Sequence, residues 1–108
     1  MKGEFLGVET CGSSECHGSA ERWRNATVLM KERLIWNTSR HASAYESLKS
    51  ELGRKITKNL GLPNGENTKQ CLSCHATYVP KSQRGERFSL TDGVTCESCH
   101  GPGGNFLS

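Results

Sequence analysis

The chain has 108 residues, a formal net charge of +3, and only 33% hydrophobic and 6% aromatic residues. That length suits one compact domain and argues against two. Its apolar content falls below the roughly 45–50% of an ordinary soluble domain, so side chains alone make a poor core, and disulfides, metals or bulky cofactors are expected to fill the middle. The mild, scattered positive charge gives no case for nucleic-acid binding, and no apolar run approaches the roughly 18 residues of a membrane span.

Residues 1–18 read as an extended arm that ends in the first cysteine pair. From Ala20 to Trp36 the pattern turns helical, with Trp23, Thr27, Met30 and Leu34 recurring at i, i+4, i+7 and i+11 to form one face. Thr38 or Ser39 is expected to cap a second helix. On it His41, Tyr45, Leu48, Leu52 and Ile56 keep the same rhythm, which places His41 on an inward-facing stripe. Gly53 weakens that helix by about 1 kcal/mol relative to Ala, and Gly61-Leu62-Pro63-Asn64-Gly65 stops it. A polar loop over residues 63–68 leads to the second cysteine pair. A loop over residues 80–93 leads to the third and carries Arg84 and Arg87, read as solvated charges or partners for anionic groups. With no long strand in the pattern, the expected fold is mainly α with extensive loops and little or no β.

The six cysteines fall as three close pairs, Cys11/Cys16, Cys71/Cys74 and Cys96/Cys99. Disulfides gain most by closing long loops, so close pairing points instead to metal or haem attachment. Each pair is followed at once by histidine: His17, His75 and His100. With four histidines in the chain, that coincidence arises by chance roughly once in 20,000. Cys71-Leu72-Ser73-Cys74-His75 and Cys96-Glu97-Ser98-Cys99-His100 are both C-x-x-C-H, the signature of c-type haem attachment. Two thiols at that spacing reach the two vinyl groups of one porphyrin, and the adjacent imidazole binds its iron. The first unit, Cys11 to His17, has four intervening residues, of which the extra two can bulge outward beside Gly12. A four-cysteine zinc site from Cys71, Cys74, Cys96 and Cys99 would leave the histidines and the first unit without a role. Three short-loop disulfides would leave the histidines without one too. Three covalently attached haems, filling the core of a single domain over residues 1–108, account for every member. Such attachment requires export, and Met1 to Gly7 lacks the apolar stretch of a signal peptide, so the chain reads as the mature form, or a domain, of a periplasmic or extracellular protein.

The chain resembles the multihaem c-type cytochromes typified by the tetrahaem electron carrier of ammonia oxidisers. The matching strings are Phe5-Leu6-Gly7, W-x-x-S-x-H-A from Trp36 to Ala42, Cys71 to Ala76, and G-V-x-C-E-x-C-H-G-P-G from Gly93 to Gly103. The resemblance implies closely stacked haems on a helical scaffold, electron transfer, and a role for His41 as a distal haem ligand. Two departures stand out: the wider first unit, and the absence of a further histidine after Gly101-Pro102-Gly103.

Three haems have up to six axial positions, and His17, His75 and His100 supply three of them. Only His41 remains among the histidines. The other distal positions could take Met30, take a ligand from another subunit or from flanking sequence, or stay open to water or a small molecule; packing against porphyrin is the more ordinary role for Met30. Tyr45 and Tyr78 are expected on haem edges. Each ferric haem with two ionised propionates brings one net negative charge, so the +3 of the chain becomes about 0 when oxidised and about −3 when reduced. The expected function is electron transfer between redox proteins. The rival is a reductase or sensor for small nitrogen-oxide molecules at an open iron, and a third option is a protomer that exchanges distal ligands with its neighbours.

Overall fold

The computed structural model describes residues 3–13, 16–19 and 31–105. Six short α-helices order these residues: α1 (Val8–Cys11), α2 (Glu32–Trp36), α3 (Ala44–Ser47), α4 (Glu51–Leu60), α5 (Lys69–His75) and α6 (Cys96–His100). Loops and four short 3-10 turns connect them. Among the described residues the sole β feature is an isolated parallel bridge of Phe5 with Arg84, so the expected mainly α fold with long loops is what forms.

The N-terminal segment is not the extended arm that its composition suggested. Phe5 pairs with the 83–85 loop, its N–H donating to Gln83 O (2.6 Å) and its carbonyl accepting from Gly85 N (2.8 Å). Val8, only 2% exposed, then opens α1. Of the helix expected over 20–36, only Glu32–Trp36 falls within the described residues. Trp23, Thr27 and Met30 lie outside them. Leu34 is 40% exposed rather than inward.

The second expected helix breaks in two. Ser39 caps no helix: its hydroxyl donates to Trp36 O (2.6 Å) and accepts from Ala42 N (3.3 Å), which closes a turn. His41 sits in the following turn and is exposed, which corrects its expected inward placement. Helix α4 restarts at Ser50, whose hydroxyl accepts from Gly53 N (3.0 Å) as an N-cap. Gly53 is therefore a requirement and not a weakness, since a Cβ there would lie 2.6 Å from Leu48 O and 2.7 Å from Ser47 O. The break turns the stripe. Tyr45 and Leu48 stay buried, whereas Leu52 and Ile56 are 66% and 48% exposed. The Gly stop holds, with Gly61 in the left-handed conformation and Leu62 N donating to Thr57 O (2.9 Å).

The core is small. Tyr45, Leu48, Leu72 and Ala76 form one cluster, with Cys71 and Leu90 against it. Leu6 and Val8 are the other buried apolar residues among those described. The radius of gyration is 15.6 Å, larger than the ~13 Å expected for a chain of this length. The principal extents, 54 × 29 × 18 Å, show that the larger radius reflects an elongated shape.

Candidate haem-attachment sites

Two cysteine units are built as single helical turns. In α5, Cys71, Cys74 and His75 stand at i, i+3 and i+4, and Cys96, Cys99 and His100 repeat that spacing in α6. Residues so spaced share one helix face, so both thiols and the imidazole point the same way. The residue after the first cysteine anchors the opposite side: Leu72 is 4% exposed and Glu97 3%. The first unit reaches a similar result by a different route. Cys11 ends α1, the chain turns through Gly12, and His17 N donates back to Cys11 O (3.2 Å). The wider spacing thus still returns His17 to Cys11; Ser14 and Glu15 lie outside the described residues.

Three cavities open on these units. One of about 330 Å³ is lined by Cys11, His17, Glu32, Cys96 and His100, so the first and third units face a common space. A second, of about 410 Å³, runs from Cys71, Cys74 and His75 to Leu48, Leu52 and Ile56. The third, about 350 Å³, carries His41 together with Ala44, Cys74, His75 and Val94. Leu52 and Ile56, left bare by the break in the stripe, face a cavity that a porphyrin would cover.

Two of the three motif histidines are held through Nδ1. His75 places Nδ1 2.9 Å from Ala44 O and 3.1 Å from Ser47 Oγ, which leaves Nε2 free. His17 places Nδ1 2.8 Å from Glu32 Oε1, with the same consequence. That hydrogen bond holds the Glu32 carboxyl below its usual range. Such outer partners fix ring orientation in metal-ligating histidines. Burial pushes the Cys11 thiol up to about 11, reinforced by Glu97, and raises Cys96 as well. Among the described residues no three His, Cys, Asp or Glu side chains converge as a metal cage. All six cysteines are free. Two cysteines followed by one histidine in each unit are the donor set that covalent haem attachment uses.

The family-like strings meet in space. Trp36 Nε1 donates to Val94 O (2.7 Å), and Val94 N donates to His41 O (3.0 Å). Gly93, at φ +83°, lets that contact form, since a Cβ there would lie 2.5 Å from His41 O. His41 is thus fastened by its backbone while its ring opens on the cavity that holds His75. A further buried group ties the second unit to the third. Thr77 Oγ1 accepts from Thr95 N (3.0 Å) and bonds Thr95 Oγ1 (2.8 Å) and Ser98 Oγ (2.6 Å).

Sequence reasoning missed several of these groups. Glu97 is the central one: its carboxylate accepts from the N–H groups of Leu6 (2.7 Å), Gly7 (2.6 Å) and Gly103 (2.6 Å), clamping both ends of the chain onto α6. An acid between the two cysteines of a haem motif was the available clue. Glu32 gave no such clue, because its partner lies 15 positions away. Arg84 is not a solvated loop charge. It donates to Val79 O (2.9 Å), lies over the Phe88 ring, and joins Lys69, Tyr78 and Lys81 around a cavity of about 460 Å³. Tyr45 is buried in the core, and Tyr78 is 40% exposed on that basic cavity. Met30 lies outside the described residues.

Comparison with known proteins adds a family. A model described as cytochrome c554 and c-prime matches residues 10–101. Cytochrome c-554 of Nitrosomonas europaea is 33% identical over 81 residues, 66% of this chain and 33% of that protein. The match therefore spans about a third of the relative's length. No solved structure matches the chain.

Proposed function

The chain belongs to the cytochrome c554 and c-prime family, and from that premise we propose that it is a three-haem electron carrier, one domain over residues 1–108. The observation that carries this reading is the cavity shared by Cys11, His17, Cys96 and His100, which brings two attachment units to one space. The Thr77–Thr95–Ser98 cluster holds the second unit against the third. Cys11 and Cys16, Cys71 and Cys74, and Cys96 and Cys99 would form the thioethers, and His17, His75 and His100 would be the proximal ligands. A bound c-type haem supplies an iron that takes up and gives back one electron. The polypeptide's task is to hold three such centres close together and to shield them from water.

His41 is the distal ligand within this chain, serving the second unit, because its ring opens on the cavity lined by Cys74 and His75. Met30, a neighbouring copy of the chain, or no protein group at all would complete the other two. Redox proteins are the partners, on the periplasmic or extracellular side where c-type haem is attached; among the described residues no helix is long and apolar enough to cross a membrane.

One observation favours a second reading, small-molecule chemistry at an open iron. His41 is the sole histidine outside the three units, and Lys69, Tyr78, Lys81 and Arg84 form a cationic cavity of the kind that admits a small anion such as nitrite. The optical spectrum of the dithionite-reduced protein, with and without carbon monoxide, separates the two. Low-spin bands unmoved by carbon monoxide are the expected result. A shift in part of the haem signal would replace the carrier with the open-iron reading.

A further inference from the structure

The three proximal histidines differ in what holds them. His75 is held through Nδ1 by neutral acceptors, a carbonyl and a hydroxyl. For His100 no ring hydrogen bond is formed among the described residues. Among the described residues His17 is the one of the three that meets a carboxylate, with Nδ1 2.8 Å from Glu32 Oε1. The contact is fixed at two points. Arg33 N donates to His17 O (2.8 Å), so consecutive residues at the start of α2 clasp the backbone and the ring of the same histidine. Glu32 and His17 also line one cavity with Cys11, so the ring borders the space beside the first cysteine unit.

We propose that Glu32 is a positioning residue that makes the first haem the lowest-potential centre of the three. A carboxylate acceptor draws the Nδ1 proton toward itself and gives the imidazole anionic character. A more anionic ligand donates more strongly to iron and stabilises the ferric state over the ferrous. The nearby negative charge acts in the same direction. An electron entering the chain therefore settles first on the second or third unit, and the first unit fills last. The inference rests on the three-haem reading.

The test is a spectropotentiometric titration of the haem-loaded protein, wild type against Glu32→Gln and Glu32→Asp, after intact mass has counted the haems. Glu32→Gln should raise the lowest of the three midpoint potentials by the equivalent of about a tenfold loss of ferric preference, which is about 59 mV for one electron. Glu32→Asp should restore part of the shift, and thermal stability and haem count should not change. In a Cys11→Ala/Cys16→Ala protein the lowest step should vanish and Glu32→Gln should become silent. Unmoved potentials, or a shift that persists after the first haem is removed, would overturn the proposal. A wild-type mass with no haem on the first unit would instead overturn the three-haem reading, and it would be seen before any titration began.

Discussion

Single side chains carry more of this molecule than its apolar residues do. Glu97 satisfies three backbone donors from both chain ends in a buried setting. Glu97→Ala strands all three, and the expected cost is about 3 kcal/mol or more, since each buried, unpaired donor is expensive. Glu97→Gln presents an amide N–H₂ where one of those donors points, so it should fall between; urea midpoints would rank the three proteins. Asp92 works the other way. Burial, then the charge of Glu9, raises its pKa, and its Oδ2 has no hydrogen-bond partner. Its folded pKa lies above the unfolded value near 3.9, so its contribution is whole below about pH 4 and is lost as pH rises through the carboxylate range. Asp92→Asn should therefore be slightly more stable than wild type at pH 7, and the difference should close toward pH 3. The candidate attachment residues are legible at this scale because C-x-x-C-H is a local code. Glu97's clamp and Glu32's contact are not, because both depend on which distant backbone or ring the fold delivers.

At the scale of elements, helical rhythm located the right apolar residues but overestimated the length of the helices. His41 through Ile56 keep one period, yet Ser50 caps a new helix and Gly53 tucks under the end of α3, so the stripe divides between a protein core and a cavity wall. Side-chain period records that residues are covered, not whether a side chain or a porphyrin covers them. The Trp36–Val94–His41 contact shows the converse, two strings that read as unrelated motifs and fold as one unit. Gly93→Ala should break it. The added Cβ meets His41 O, and a positive φ alone costs an L-residue roughly 1–2 kcal/mol. The expected outcome is a lowered melting temperature together with loss of part of the low-spin haem signal, read by electron paramagnetic resonance. A melting change with the haem signal intact would remove the link between Gly93 and His41's ligation.

Over the whole molecule, the low apolar content and the small buried core fit a polypeptide whose core bound haems would complete. The six buried apolar side chains among the described residues are few to set against the conformational entropy of ordering a chain this long. The haem-free polypeptide, made with all six cysteines changed to alanine, should accordingly show no cooperative unfolding transition by circular dichroism, while the loaded protein shows one. A cooperative transition in the haem-free chain would mean the polypeptide stands on its own. The expected mainly α, loop-rich architecture formed because helix and loop signals are local. The spacing of the attachment units was not readable, since it depends on contacts such as Thr77 with Ser98 that join residues 21 positions apart.

The central claim is that all three cysteine–histidine units hold haem, the wide first unit included. The most direct measurement is the haem stoichiometry of the purified protein, from the alkaline pyridine haemochrome spectrum set against the polypeptide concentration. Three haems per chain is the predicted result. Two would mean that Cys11 and Cys16 stay empty, and would contradict both the three-haem carrier and the role given to Glu32.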